Sequence, residues 1–192
     1  MNIDFATSEH AEQIAALHAA SWAATYSDVL SPYYLERVVP TERLAIWQER
    51  FENPKVNQFA LVALEAGAVV AFACAFVGEH SDWGSYLDNL HVKPSHQGRG
   101  VGSSLLLQVA AICEQRCSGQ GLYLLVNQSN LRAQKFYLAL GAQNSQAAVW
   151  NAPDGTSVPT FRFSLASAAA LAENAANSAF ERDAPKAARP SI

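Results

Sequence analysis

A chain of 192 residues with half of its side chains apolar and a formal charge of −4 is enough for one domain, which buries roughly 70% of its unfolded surface and folds without metal or disulfide. Its 13 Lys and Arg are scattered, which excludes the basic stripe needed to neutralise nucleic-acid phosphates, and no stretch reaches the ~18 apolar residues of a membrane span. Three cysteines without a framework read as reduced thiols, and "MNIDFATSEHAEQ" opens with neither a basic start nor an apolar run; both predict a cytoplasmic protein.

Residues 2–6, NIDFA, alternate polar and apolar as a short strand does, and Thr7 or Ser8 then offers a helix cap. From Ala11 onward, Ile14, Leu17, Ala20 and Trp22 recur at helical spacing. A second helix is predicted over about Pro32 to Phe51, with Leu35, Val38, Leu44, Trp47 and Phe51 as its apolar positions. QFALVAL (58–64) and AVVAFACAFV (68–77) flank EAG, the pattern of two strands around a short glycine turn. SYLDNLHV (85–92) reads as a central strand. Its alternation sets Leu87, Asn89 and His91 on one face and Tyr86, Asp88, Leu90 and Val92 on the other.

The segment HVKPSHQGRGVGSSLLLQV then packs three glycines into five positions, ahead of an amphipathic helix over 102–116. GLYLLVN (121–127) is a buried strand, and a helix over Leu131–Leu140 is stopped by Gly141. Strands near 145–151 and 157–165 are joined by APDGT, strong turn chemistry. Beyond Leu165, residues 166–192 hold eleven alanines and only Leu171, Phe180 and Ile192 as bulky apolar side chains, too few for a core. The chain thus divides into a domain over 1–165 and a mobile or weakly docked tail over 166–192, partly helical by alanine's propensity.

A strand, a glycine-rich loop and a helix start together form an anion site, because unpaired amides at the helix N-terminus point outward and the dipole favours negative charge. Phosphate is the leading ligand, and a ligand-free tight turn is the alternative. A P-loop needs a lysine after its last glycine, where this chain has Ser103-Ser104. The dinucleotide fingerprint needs glycine at position 103 and an acid ending the next strand, and GLYLLVN carries none.

Gln97-Gly98-Arg99-Gly100-Val101-Gly102 resembles the Q/R-x-x-G-x-G/A pyrophosphate loop of the GNAT superfamily of acyl-CoA-dependent N-acetyltransferases. Asn130 to Ala142, NLRAQKFYLALGA, is similar to that family's N-x-x-A-x-x-F-Y…L-G-F segment and departs only at Ala142. The opening ATSEHAEQIAALHAASW resembles the family's first strand and helix, so the likeness covers about residues 2–165. It implies a single α/β domain, with a mixed, largely antiparallel sheet flanked by helices. It also implies acetyl transfer from acetyl-CoA to a primary amine by direct attack, without a metal. The alternative is a non-catalytic acyl-CoA sensor or interaction module on the same fold. Dimerisation is an expectation by family analogy that no sequence feature demonstrates.

The resemblance assigns the amides of Leu90 and Val92 to the acyl and pantetheine arm, and those of Gln97, Gly98, Arg99, Gly100, Val101, Gly102 and Ser103 to the pyrophosphate. Asn130 joins them on the cofactor side and also reads as a helix N-cap. Tyr137 is expected to protonate the leaving thiolate, a role open to a phenol that keeps its proton at neutral pH. Many family members carry Glu six residues before the position of Val92, where this chain has Tyr86. Asp88, two residues on, becomes the candidate base through a water, with His91, His80 and Asp82 behind it. His10, His18 and His96 lack metal-ligand spacing and read as surface or packing residues. Acceptor contacts are expected from Trp22, Tyr26, Tyr33, Tyr34 and the loop over 78–84, Tyr26 and Trp83 first.

Overall fold

The computed structural model describes residues 1–167 and Leu171. Its strands are β1 (Asn2–Phe5), β2 (Gln58–Glu65), β3 (Ala68–His80), β4 (Gly84–Val92), β5 (Leu122–Asn127), β6 (Gln143–Asn151) and β7 (Ser157–Leu165). They form one sheet in the order β1-β2-β3-β4-β5-β7-β6, antiparallel throughout except for β4 and β5. Helices α1 (Ala11–Thr25) and α2 (Val39–Glu52) cover one face, and α3 (Val101–Arg116) and α4 (Leu131–Ala139) the other. The expected α/β architecture is therefore met.

Strand β3 shows how residue size sets the layers. Ala71, Ala73 and Ala75 turn toward α3, where their small side chains admit Leu105, Leu106 and Val109. Phe72 and Phe76 turn the other way and fill the layer with Ile14 and Trp47. The β2–β3 turn has Ala66 at φ 49° and Gly67 at φ 79°, the two positive angles that a two-residue hairpin of this twist requires.

The predicted helix over Pro32–Phe51 is continuous in extent but not in register. A π segment, Tyr34–Val38, precedes α2, and Pro40 lies in the first turn of α2. Proline has no N–H to give to the ordinary ladder, and the wider turn accommodates that loss.

A larger correction falls on β4. Its register against β3 runs Tyr86↔Phe76, Leu87↔Ala75, then Asn89↔Cys74, Leu90↔Ala73, His91↔Phe72 and Val92↔Ala71. Asp88 is the extra residue of a β-bulge, which puts two consecutive side chains on one face and bends the strand. Tyr86, Asp88, Asn89 and His91 therefore share the α1/α2 face, while Leu87, Leu90 and Val92 share the α3/α4 face. Strict alternation predicted Asp88 beside Tyr86 correctly, but grouped Asn89 and His91 with Leu87, and Leu90 and Val92 with Tyr86, each the reverse of what the bulge produces.

Leu171 is fully buried in the α3-side core, so the tail is docked at that point. The expectation of a mobile or weakly docked segment over 166–192 otherwise lies outside the described residues, Ala166 and Ser167 excepted.

Candidate functional site

Strands β4 and β5 pair only at Ser85↔Leu122 and Tyr86↔Tyr123. Closure there is tight: a Cβ on Gly84 would overlap the Gly121 carbonyl, and the Ser85 N–H donates to that same oxygen at 2.9 Å. Beyond Tyr86 the strands part. The Lys93 N–H donates to Val70 O at 2.8 Å, so by alternation the N–H groups of Leu90 and Val92 turn away from β3 and into the gap. The Val92 carbonyl, turned the same way, accepts from Gln97 Nε2 at 2.9 Å, which ties the glycine loop to the mouth of the gap.

The three loop glycines serve two purposes. Gly98 and Gly100 stand at φ 76° and 80°, and a Cβ on either would meet nothing within 4 Å; a larger residue there would be strained and would stand in open space beside the amides. Gly102 instead admits close packing, since its Cβ would lie 3.4 Å from Phe136 Cζ and 3.5 Å from Val92 Cγ2. Gly100 is the N-cap of α3, leaving the first amides of that helix without intrahelical partners. Arg99 is exposed beside them. Behind the loop, His96 Nε2 meets Glu65 Oε2 at 2.8 Å, and this hydrogen bond holds the Glu65 carboxyl below its usual range.

On the α3/α4 side, Asn130 Oδ1 accepts the Ala133 N–H at 3.0 Å, fixing the start of α4 as its N-cap. Tyr137 is buried beside Phe136 and Phe163, with ring centroids 5.0 and 6.4 Å away. Burial raises its phenol pKa, so the proton stays on at neutral pH.

On the α1/α2 side, Tyr86 is stacked between Phe76 and Tyr123, at 6.4 and 4.9 Å. Asp88 forms an ion pair with Arg50 at 2.8 Å, and Arg50 also donates to Asn89 Oδ1 at 3.3 Å. Cys74, buried beside Arg50, has its thiol pushed up to about 12 by burial, so it is an inert packing group. His18 and His91 lie with ring centroids 4.8 Å apart, and His18 Nδ1 accepts the Trp47 indole N–H at 3.1 Å. Burial lowers the pKa of both, His91 to about 4, so neither is charged at neutral pH.

Of the predicted acceptor contacts, Tyr26 packs against Trp22 and Trp150 at 5.3 and 5.5 Å. Trp83 lies under the Arg162 guanidinium, 4.7 Å from its ring centroid, beyond Tyr123. Tyr33 is 73% exposed, whereas Tyr34 is buried and donates to Glu42 Oε2 at 2.7 Å. His80 sets its ring edge-on to Tyr123 at 6.2 Å and accepts the Asp82 N–H at 3.1 Å. Sequence reasoning missed Arg50, Tyr123 and Arg162. Only Tyr123 carried a signal, its alternation with Leu122 and Leu124 in a predicted strand.

The gap thus opens to both faces of the sheet. Tyr137 lies on the α3/α4 side of the sheet and Asp88 on the α1/α2 side, and the N–H groups of Leu90 and Val92 point into the gap. Among the described residues no group of three His, Cys, Asp or Glu is placed to hold a metal ion, and no helix is long and apolar enough to cross a membrane.

Residues 17–142 match the Acetyltransferase (GNAT) family. A segment of 67 residues is 39% identical to the thialysine N-epsilon-acetyltransferase of Bos taurus, spanning 34% of this chain and 39% of that protein. An uncharacterized N-acetyltransferase of Mycobacterium tuberculosis is 26% identical over 132 residues, 68% of this chain and 81% of that protein. Among solved structures, the PaiA N-acetyltransferase of Thermoplasma acidophilum in complex with coenzyme A superposes with a TM-score of 0.59 at 18% identity, covering 83% of this chain and 98% of that one. The YncA structure from Salmonella typhimurium, solved with acetyl-CoA, gives 0.62 at 20% identity over 86% and 93%. At these identities the likeness is one of fold.

Proposed function

Because the chain belongs to the GNAT acetyltransferase family, we propose that it transfers acetyl from acetyl-CoA to a primary amine by direct attack, within the domain over 1–165. One observation carries this reading: β4 parts from β5 after Tyr86, and a loop with two left-handed glycines is fastened at the mouth of the opening. The PaiA and YncA structures hold coenzyme A and acetyl-CoA, and the open space beside Gly98 and Gly100 suits the pyrophosphate of such a ligand.

Acetyl-CoA would supply an activated thioester, which an amine converts to an acetamide with release of the free thiol. The amides from Gln97 to Ser103 would hold the phosphates, with Arg99 beside them. Leu90 and Val92 donate their N–H groups to the acyl and pantetheine arm, and an N–H aimed at developing negative charge is typically worth ~3 kcal/mol. Tyr137 gives its proton to the departing sulfur. Asp88 receives the proton of the attacking amine through a water, while Arg50 fixes the carboxylate in place. Tyr26 and Trp83 line the acceptor side. Three free cysteines suit a cytoplasmic setting.

A second reading, an acyl-CoA-binding protein without transfer, is favoured by one observation. Tyr86 occupies the position of the family's frequent glutamate, and Asp88 already has a cationic partner. Calorimetry with acetyl-CoA, NADH and ATP tests both. Micromolar binding of acetyl-CoA alone, ~8 kcal/mol, lost in Gly100→Val, is the expected result. Thiol release with an amine screen then separates the two readings, and absence of binding by the native protein overturns both.

A further inference from the structure

Three arginines are drawn into the fold, and the protein supplies carboxylates to two of them. Arg43 pairs with Glu42 at 2.9 Å and Arg50 with Asp88 at 2.8 Å. Arg162, on β7, has no ion-pair partner among the described residues. Its Nη1 donates to Gln146 Oε1 at 2.5 Å, its Nε is buried without a hydrogen-bond partner, and its guanidinium lies 4.7 and 5.5 Å from the ring centroids of Trp83 and Tyr123. Glu79, whose charge reaches the Tyr123 phenol, is bonded to Asn57 and forms no pair with it. A half-buried guanidinium with its orientation fixed by two rings and no counter-charge costs stability.

The place of this cation in the sheet gives it a use. Tyr123, beneath it, is stacked on Tyr86 at the head of the gap, and β7, β5 and β4 are successive neighbours in the sheet. Arg162 therefore faces the α1/α2 side two strands away from the β4 residues that would meet the amine, a span of at least about 10 Å because β4 has parted from β5 there. We propose that Arg162 binds a carboxylate on the acceptor, so that the substrate is an amino acid whose reacting amine lies across the Tyr123–Tyr86 pair from its carboxylate. One hydrogen bond takes about 3 Å of that span, leaving room for at least about five methylenes between the two groups. This inference rests on the acetyltransferase reading above and extends it to the class of acceptor.

The test compares three amines with the native protein: 6-aminohexanoate, L-lysine and cadaverine, the last being lysine without its carboxylate. The expected kcat/KM for each carboxylate-bearing amine is at least tenfold above that for cadaverine. Arg162→Gln should collapse this ratio to within about twofold, carried by KM rather than kcat, and Arg162→Lys should retain part of it because a point charge without the planar fork remains. Melting curves establish that each variant is folded. The inference is overturned if native protein uses cadaverine as well as the amino acids, if the ratio survives in folded Arg162→Gln, or if acetyl-CoA binds while no amine of the three reacts. Failure of acetyl-CoA to bind would instead remove the acetyltransferase reading, and this inference with it.

Discussion

At the closed end of the β4–β5 pair, a Cβ on Gly84 would run into the Gly121 carbonyl, and one on Gly121 would stand 2.8 Å from Leu165 O. At the open end, a Cβ on Gly98 or Gly100 would touch nothing within 4 Å. The same residue type thus serves contact in one place and vacancy in the other. A glycine that lets two backbones meet belongs to folding, and a glycine beside unfilled space and free amides belongs to recognition. The two ends should therefore fail differently when altered.

The largest effect is expected at the closed end. Gly84→Ala combines overlap with backbone and a side chain at φ 78°, and should cost about 4 kcal/mol or prevent folding; urea denaturation measures it, and a loss under 1 kcal/mol would contradict the packing described. Next is acid. The His91 pKa is lowered from 6.5 to about 4, so between those values the unfolded chain binds a proton that the folded one refuses. Stability is then complete above pH 6.5 and falls as pH drops toward 4, by about 3 kcal/mol from this group. Urea midpoints at pH 7, 5.5 and 4.5 should show at least that slope, and His91→Asn should remove about half of it, the buried His18 supplying the rest.

At the open end the effects should fall on chemistry. Tyr137→Phe is expected to lower kcat about 100-fold, ~2.7 kcal/mol, with little change in melting temperature; a kcat within threefold of native would remove the phenol from its role. The smallest effect is at the α4 cap. Asn130→Ala should lose about 1 kcal/mol of stability, recovered by Asn130→Asp, and thermal unfolding distinguishes this from a loss of cofactor affinity.

Much of this was legible in the sequence, because local chemistry fixes it. The glycine loop, the Asn130 cap and the strand-turn-strand over 58–77 each announce themselves within a few residues. What was not legible depends on distant partners. Nothing near Arg50 in sequence indicates that it reaches Asp88, 38 positions on, and Arg162 meets Trp83 only because β7 lies beside β5. The residues after Asp88 were misread for a further reason: a bulge is decided by pairing with β3, so a period-two reading of β4 alone carries the wrong face past it.

Counted in codons, the bulge is one triplet. Without Asp88, Leu87 and Asn89 would be adjacent and already on opposite faces, and every later side chain of β4 would keep its present side. The residue is thus dispensable to the strand's facing, and besides its carboxylate it contributes the bend it imposes. Losing that triplet would remove the bend β4 takes just past its last pairing with β5, so a single in-frame deletion reaches the opening without changing any side chain that faces it after Asn89.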